Sequence, residues 1–212
     1  MRPAISVAAV VAFVCFYLLG HAVTARGEPA ALLAWETSLF NHATLVAWWL
    51  TWACYAQVLL PLCIALLVVA WFVPAWRTRA LLSVVLMLVC WRGADLMQHV
   101  FARVRPSDWV VKHETAFSYP SSHAAIVAGF YWLWAAMLYF SNPRCLARAI
   151  CSALLVVFGL AICWSRLALG AHYLTDIIGG ILFSCGVVLA VAAGFPGLFA
   201  RDAGRASATV EE

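Results

Sequence analysis

Residues 149–195 read AICSALLVVFGLAICWSRLALGAHYLTDIIGGILFSCGVVLAVAAGF. Two long apolar runs, 149–164 and 174–195, flank the stretch Ser165–Asp176, which holds an arginine, a histidine and an aspartate. Runs of that length and apolarity predict membrane-spanning helices. A polar stretch at their junction either punctuates a membrane loop or forms a site, and taken alone it leaves both open. His172 and Asp176 are four apart, so on a helix they share a face. A carboxylate so placed can hold one imidazole nitrogen as N–H and leave the other free to attack. Arg166 can grip a phosphate with two parallel hydrogen bonds.

The composition bounds the class. Of 212 residues, 66% are hydrophobic and 10% charged, with a mean hydropathy of +0.96. Soluble domains carry about 25% charged residues, so an integral membrane protein is expected. The net charge of +4 is scattered without a basic run, which argues against nucleic acid as a partner. Eight cysteines sit mostly inside apolar runs and show neither CxxC nor metal-ligand spacing, so free thiols and no metal site are expected.

Working outward, the sequence predicts an all-α bundle of six transmembrane helices. The spans are residues 4–23, 44–73, 80–101, 124–141, 149–164 and 174–195. A short interfacial helix is expected within 24–43, where Trp35 suits a membrane boundary. Val23-Thr24-Ala25 is a passable signal cleavage site, but the first run is long for a signal core, and retention is expected. Pro61 predicts a kink in the second span. Arg92 and Asp95 in the third span are expected to pair and face the bundle, with a direct substrate role as the alternative. Residues 1–200 form one membrane domain and 201–212 a polar, disordered tail.

Six spans put both termini on one side. The termini and the turns at 76–79 and 142–148 carry seven arginines, so the positive-inside rule makes that side cytoplasmic. The loops at 102–123 and 165–173 then both face outward and converge. A bacterial inner membrane is the expected location.

Three polar segments lie on that outer face. They are Gln98-x6-Arg105-Pro106, Pro120-Ser121-Ser122-His123 and Ser165-Arg166-x5-His172-x3-Asp176. The serines before His123 are plausible helix caps, leaving backbone N–H groups open at that helix start. Together the segments resemble the three-part signature of the type 2 phosphatidic acid phosphatase family, K-x6-R-P, P-S-G-H and S-R-x5-H-x3-D. Soluble acid phosphatases and vanadium haloperoxidases share that signature. The third segment is complete. The second has Ser122 in place of glycine, and the first has Gln98 in place of lysine.

The resemblance implies a lipid phosphatase acting on a phosphomonoester or pyrophosphate, with substrates of the phosphatidate, phosphatidylglycerol phosphate, undecaprenyl pyrophosphate or lipid A type. It implies His172 as the nucleophile that forms a phospho-histidine and Asp176 as its orienting carboxylate. His123 would protonate the leaving oxygen and then activate water. Arg105, Arg166, Ser121, Ser122 and Gln98 would bind the phosphoryl oxygens. No cofactor or metal is implied. Gln98 lacks the charge of lysine, and Arg103 or Lys112 in the same loop are the candidates to replace it, with the deeper Arg92 a more distant third. Two other outcomes stay open: transfer of the phosphoryl group to a second lipid, and a degenerate, non-enzymatic member.

Overall fold

The computed structural model describes residues 2–40, 44–107, 115–142 and 144–195. Lys112 and the 201–212 tail lie outside the described residues. The helices run α1 (Arg2–Arg26), α2 (Ala30–Ser38), α3 (Thr44–Trp52), α4 (Ala56–Phe72), α5 (Arg77–Phe101), α6 (Ser122–Ile126), α7 (Leu133–Ser141), α8 (Leu146–Ala168) and α9 (Leu174–Gly194). A π-helical segment, Val127–Trp132, joins α6 to α7, so 122–141 runs as one span. Among the described residues every regular element is helical. Five helical stretches are long and apolar enough to cross a membrane, and α3 with α4 makes a sixth as a bent pair. The protein is a multi-pass membrane protein with α2 as the short helix between its first two spans.

Several expectations shift in detail. The second span bends by 46° where α3 meets α4, at residues 53–55, and Pro61 lies inside α4 instead of at the break. A membrane helix can carry a proline in its interior when neighbouring groups absorb the lost hydrogen bond. Ser165 and Arg166 belong to the last turns of α8, not to a loop. Arg92 does pair with Asp95 at 3.4 Å, but its side chain is 72% exposed, so it faces away from the bundle.

Close packing against α1 and α9 positions the 119–121 segment. On α1, Phe16 stacks on Tyr119 with ring centroids 5.5 Å apart, and it meets Phe101 and Phe183 as well. The Tyr119 hydroxyl donates to the Phe16 carbonyl at 2.6 Å. On α9, a Cβ at Gly180 would stand 2.4 Å from the Ser121 carbonyl oxygen, and one at Gly179 would stand 2.3 Å from the Tyr119 ring. Glycine at these two positions lets the helix meet the 119–121 backbone directly, as small residues do in membrane bundles.

Both ends of the bundle are polar, in different ways. At one end, Arg79 and Arg148 both lie over the Trp76 ring, at 4.5 and 5.7 Å from its centroid. That brings the turns at 73–79 and 142–148 together. At the other end lie the three segments singled out by the sequence.

Candidate active site

The first segment leaves α5 through Ala102, whose φ of 49° is left-handed. A residue with a Cβ adopts that region at a cost of roughly 1–2 kcal/mol, and such departures cluster at functional sites. Beyond it the chain alternates: Arg103 is buried, Val104 is 79% exposed, and Arg105 turns inward again. Arg105 is fixed by its Nε on the Ala116 carbonyl at 2.6 Å and its Nη1 on the Ala171 carbonyl at 2.9 Å.

The second segment is held from two sides. Ser121 is the N-cap of α6, its hydroxyl oxygen accepting from the Ala124 N–H. The Ser121 N–H donates to the Asp176 carbonyl at 3.0 Å, which joins the second segment to the third. Gln98 is 3% exposed, and its side-chain amide donates to the Pro120 carbonyl at 2.9 Å and to the Ser122 hydroxyl at 3.1 Å. The two positions that depart from the family pattern therefore touch each other. His123 is buried against the edge of Tyr55 and hydrogen-bonded to the Thr51 backbone. Its Nε2 has no hydrogen-bond partner among the described residues. A buried polar atom of that kind is uncommon in folded proteins.

The third segment is a helix stop followed by a helix start. Gly170, with φ of 66°, takes the left-handed position just past α8. Its N–H bonds the Leu167 carbonyl, and the Ala171 N–H bonds the Arg166 carbonyl, both at 2.9 Å. This is a Schellman closure. It seats Arg166 fully buried, with Nη1 donating to the Thr51 hydroxyl at 2.6 Å. His172 follows in the turn, outside any helix, so its pairing with Asp176 is not the helical one expected from spacing. Asp176 lies at the third position of α9 and accepts the Tyr173 N–H at 2.9 Å, as an N-capping carboxylate does. The same oxygen stands 3.5 Å from His172 Nδ1 and accepts the Ser118 hydroxyl.

On the other side of the ring, Arg105 Nη1 lies 3.1 Å from His172 Nε2. A guanidinium can only donate, so Nε2 carries the lone pair and the ring proton belongs on Nδ1, toward Asp176. His123 lies within electrostatic reach of Arg105, Arg166 and His172. The arrangement presents the His172 Nε2 lone pair to the Arg105 guanidinium, with a second imidazole within electrostatic reach.

Arg103, a candidate to replace the charge missing at Gln98, is held by carboxylates. Its Nη1 contacts Asp176 Oδ1 at 2.5 Å and the Thr175 hydroxyl at 2.7 Å, and its Nη2 contacts Glu28 at 2.8 Å. Burial opposes the charge of Arg103, but the Asp176 and Glu28 carboxylates outweigh it and hold the guanidinium more firmly protonated than usual. Glu36, 2% exposed on α2, accepts the Leu174 N–H at the first position of α9 at 2.7 Å. Burial pushes its carboxyl up to about 7, with Glu28 and Asp176 adding to the rise.

Sequence reasoning missed Glu28, Glu36, Thr51, Ser118 and Thr175. The first two carried a faint signal, as acids in an outer segment of a chain poor in charge. The others carried none.

Three comparisons bear on this geometry. The family model of the PAP2 superfamily matches residues 77–199, more than half of the chain. Phosphatidylglycerophosphatase B of Bacillus subtilis (strain 168) is 35% identical over 92 residues. That match spans 41% of this chain and 42% of the relative, well under half of either. The fold is similar to the crystal structure of a transmembrane PAP2-type phosphatidylglycerolphosphate phosphatase from Bacillus subtilis. The TM-score is 0.71 at 23% identity, covering 92% of this chain and 98% of that one.

Proposed function

The chain belongs to the PAP2 superfamily, and from that premise we propose that it is a membrane lipid phosphatase working through a phospho-histidine on His172. The observation that carries the proposal is the imidazole held between Asp176 at 3.5 Å and Arg105 at 3.1 Å, with its lone pair on the cationic side. In the first step His172 Nε2 attacks phosphorus, and the bond from phosphorus to the lipid oxygen breaks. His123, in its protonated form, gives the departing oxygen its proton. Asp176 balances the positive charge that the His172 ring gains. In the second step His123 takes a proton from water, the resulting hydroxide attacks phosphorus, and the phosphorus–nitrogen bond breaks to release inorganic phosphate.

The phosphoryl oxygens share their charge among several fixed donors, which is what such a transition state requires. Arg105 and Arg166 supply the cations, and the Ser121 and Ser122 hydroxyls and backbone are the further donors in this reading. Gln98 supports the Pro120–Ser122 turn from below. No metal enters the scheme.

The similarity to phosphatidylglycerophosphatase B favours phosphatidylglycerol phosphate among the candidate substrates. The arginine-rich turns favour a cytoplasmic side opposite the site. The site would then open on the outer face of the bacterial inner membrane, with both termini inside.

The test is release of inorganic phosphate from a panel of phosphatidylglycerol phosphate, phosphatidate, undecaprenyl pyrophosphate and lipid A, in detergent with chelator present. Wild type is expected to release phosphate from at least one, and His172→Ala from none. A phosphorus label that is stable to alkali, labile to acid and absent from His172→Ala is expected on the enzyme. Full activity in His172→Ala would sink the assignment. Added acceptor lipid separates hydrolysis from transfer.

A further inference from the structure

Arg103 is the most heavily engaged cation at this end of the molecule. Its side chain is 5% exposed and bridges two buried carboxylates, Asp176 at 0% and Glu28 at 2%. The Tyr173 ring covers its face at 4.3 Å. Its backbone carbonyl accepts the Ser118 N–H at 2.8 Å, and the Ser118 hydroxyl reaches the other oxygen of the same Asp176. Resting on the reading of His172 as nucleophile, we infer that Arg103 is a positioning residue for the reaction, fixing the Asp176 carboxylate against the imidazole, and that Glu28 holds Arg103 in that role.

Three observations argue for positioning over phosphate binding. The charge of Arg103 is already shared between two carboxylates, and a phosphate dianion brought beside them would be repelled. Arg103 binds Asp176 Oδ1, whereas His172 faces Oδ2, so the guanidinium fixes the plane of the carboxylate without competing for the ring. Glu28 comes from the segment between α1 and α2, and it also accepts the Thr175 hydroxyl. Arg103 and the start of α9 are thus tied to one anchor. Outer partners that orient a reacting ligand commonly matter at the level of 10- to 100-fold.

The experiment measures kcat and KM on the best substrate of the panel above, with thermal midpoints in detergent. Wild type and His172→Ala set the bounds. Arg103→Gln is expected to lose about a hundredfold in kcat with KM within about threefold, because the interaction it removes acts through Asp176. Arg103→Lys, which keeps the charge but not the fork, is expected to recover about tenfold of that loss. Glu28→Gln is expected to lose about tenfold, and Arg103→Gln/Glu28→Gln to be no slower than Arg103→Gln alone, as coupled residues behave.

A tenfold rise in KM with kcat held would mean that Arg103 touches phosphate, and would overturn the inference. So would a kcat within twofold of wild type. If Arg103→Gln shows no unfolding transition, the same split read from Arg103→Lys and Glu28→Gln decides. Wild type inert on the whole panel defeats the phosphatase reading and this inference with it. An active wild type, dead His172→Ala and normal Arg103→Gln defeat this inference alone.

Discussion

The two ends of the bundle use arginine in opposite ways. At one end Arg77, Arg79 and Arg148 lie over tryptophan rings, and Arg77 also donates to the Trp71 carbonyl. At the other end Arg103 and Arg166 are buried, at 5% and 0% exposure, and Arg105 leans on an imidazole. Sequence composition treats these residues alike. What separates them is the partner: at the first end tryptophan faces hold the cations, with Arg79 at 8% exposure and Arg148 also donating to the Ser141 hydroxyl at 2.6 Å, whereas at the second the guanidiniums meet carboxylates, a hydroxyl and an imidazole. On the proposed function, charge at the second end serves chemistry, and charge at the first does not.

The contrast can be broken most decisively at Arg166. Arg166→Ala is expected to lower phosphate release by on the order of a thousandfold, about 4 kcal/mol of barrier, and Arg166→Lys to recover little of it. Retention of a tenth of wild-type activity in Arg166→Ala would erase the distinction. Next, Gly180→Ala forces a methyl against the Ser121 carbonyl, and overpacking of that kind costs roughly 1–3 kcal/mol. A lower thermal midpoint and a tens-fold loss of activity are expected, since the second segment must shift relative to Asp176.

Gln98→Leu removes the donor to the Pro120 carbonyl and the Ser122 hydroxyl. The expected loss in kcat/KM is about tenfold, matching an unsatisfied buried acceptor at about 1–3 kcal/mol. A smaller effect comes from Glu36. Its carboxyl stands near 7 when folded against 4.5 as an ordinary carboxyl. The folded state therefore holds a proton that the unfolded chain has released, and stability falls as pH rises from about 4.5 to about 7, then levels. Thermal midpoints across that window should decline in wild type and flatten in Glu36→Gln.

The smallest effect belongs to the other end. Arg77→Ala should leave phosphate release within twofold and shift stability by no more than about 1 kcal/mol, the size of an exposed cation–π contact. A tenfold activity loss there would show that the two ends are not independent.

Much of this organisation was legible beforehand. The spans follow from apolar length, and the three polar segments from their place in the topology. The short helix Ala30–Ser38 falls within the 24–43 segment that Trp35 marks in the sequence. The limits of the Ser165–Asp176 stretch were misjudged because Gly170 both ends one helix and frees the turn that carries His172. Spacing alone suggested a helical pair. Pro61 drew attention from the actual bend because a proline is visible in sequence and a break at residues 53–55 has no such marker. Arg92 was expected inward because charge in a span usually points there, yet a single i,i+3 pair does not fix a rotation about the helix axis. The anchoring of Arg103 was out of reach for another reason. Glu28 lies 75 residues from Arg103 and 147 from Thr175, and such contacts leave no local periodic trace.

The left-handed Ala102 has a last consequence, one of counting. Over the next three residues the chain alternates, so Arg103 and Arg105 enter the protein and Val104 between them leaves it. The connection therefore obeys a parity rule. Adding or deleting one residue between Phe101 and Arg105 would send a guanidinium outward and a valine toward the carboxylates, whereas adding two would keep the sides correct and merely lengthen the reach.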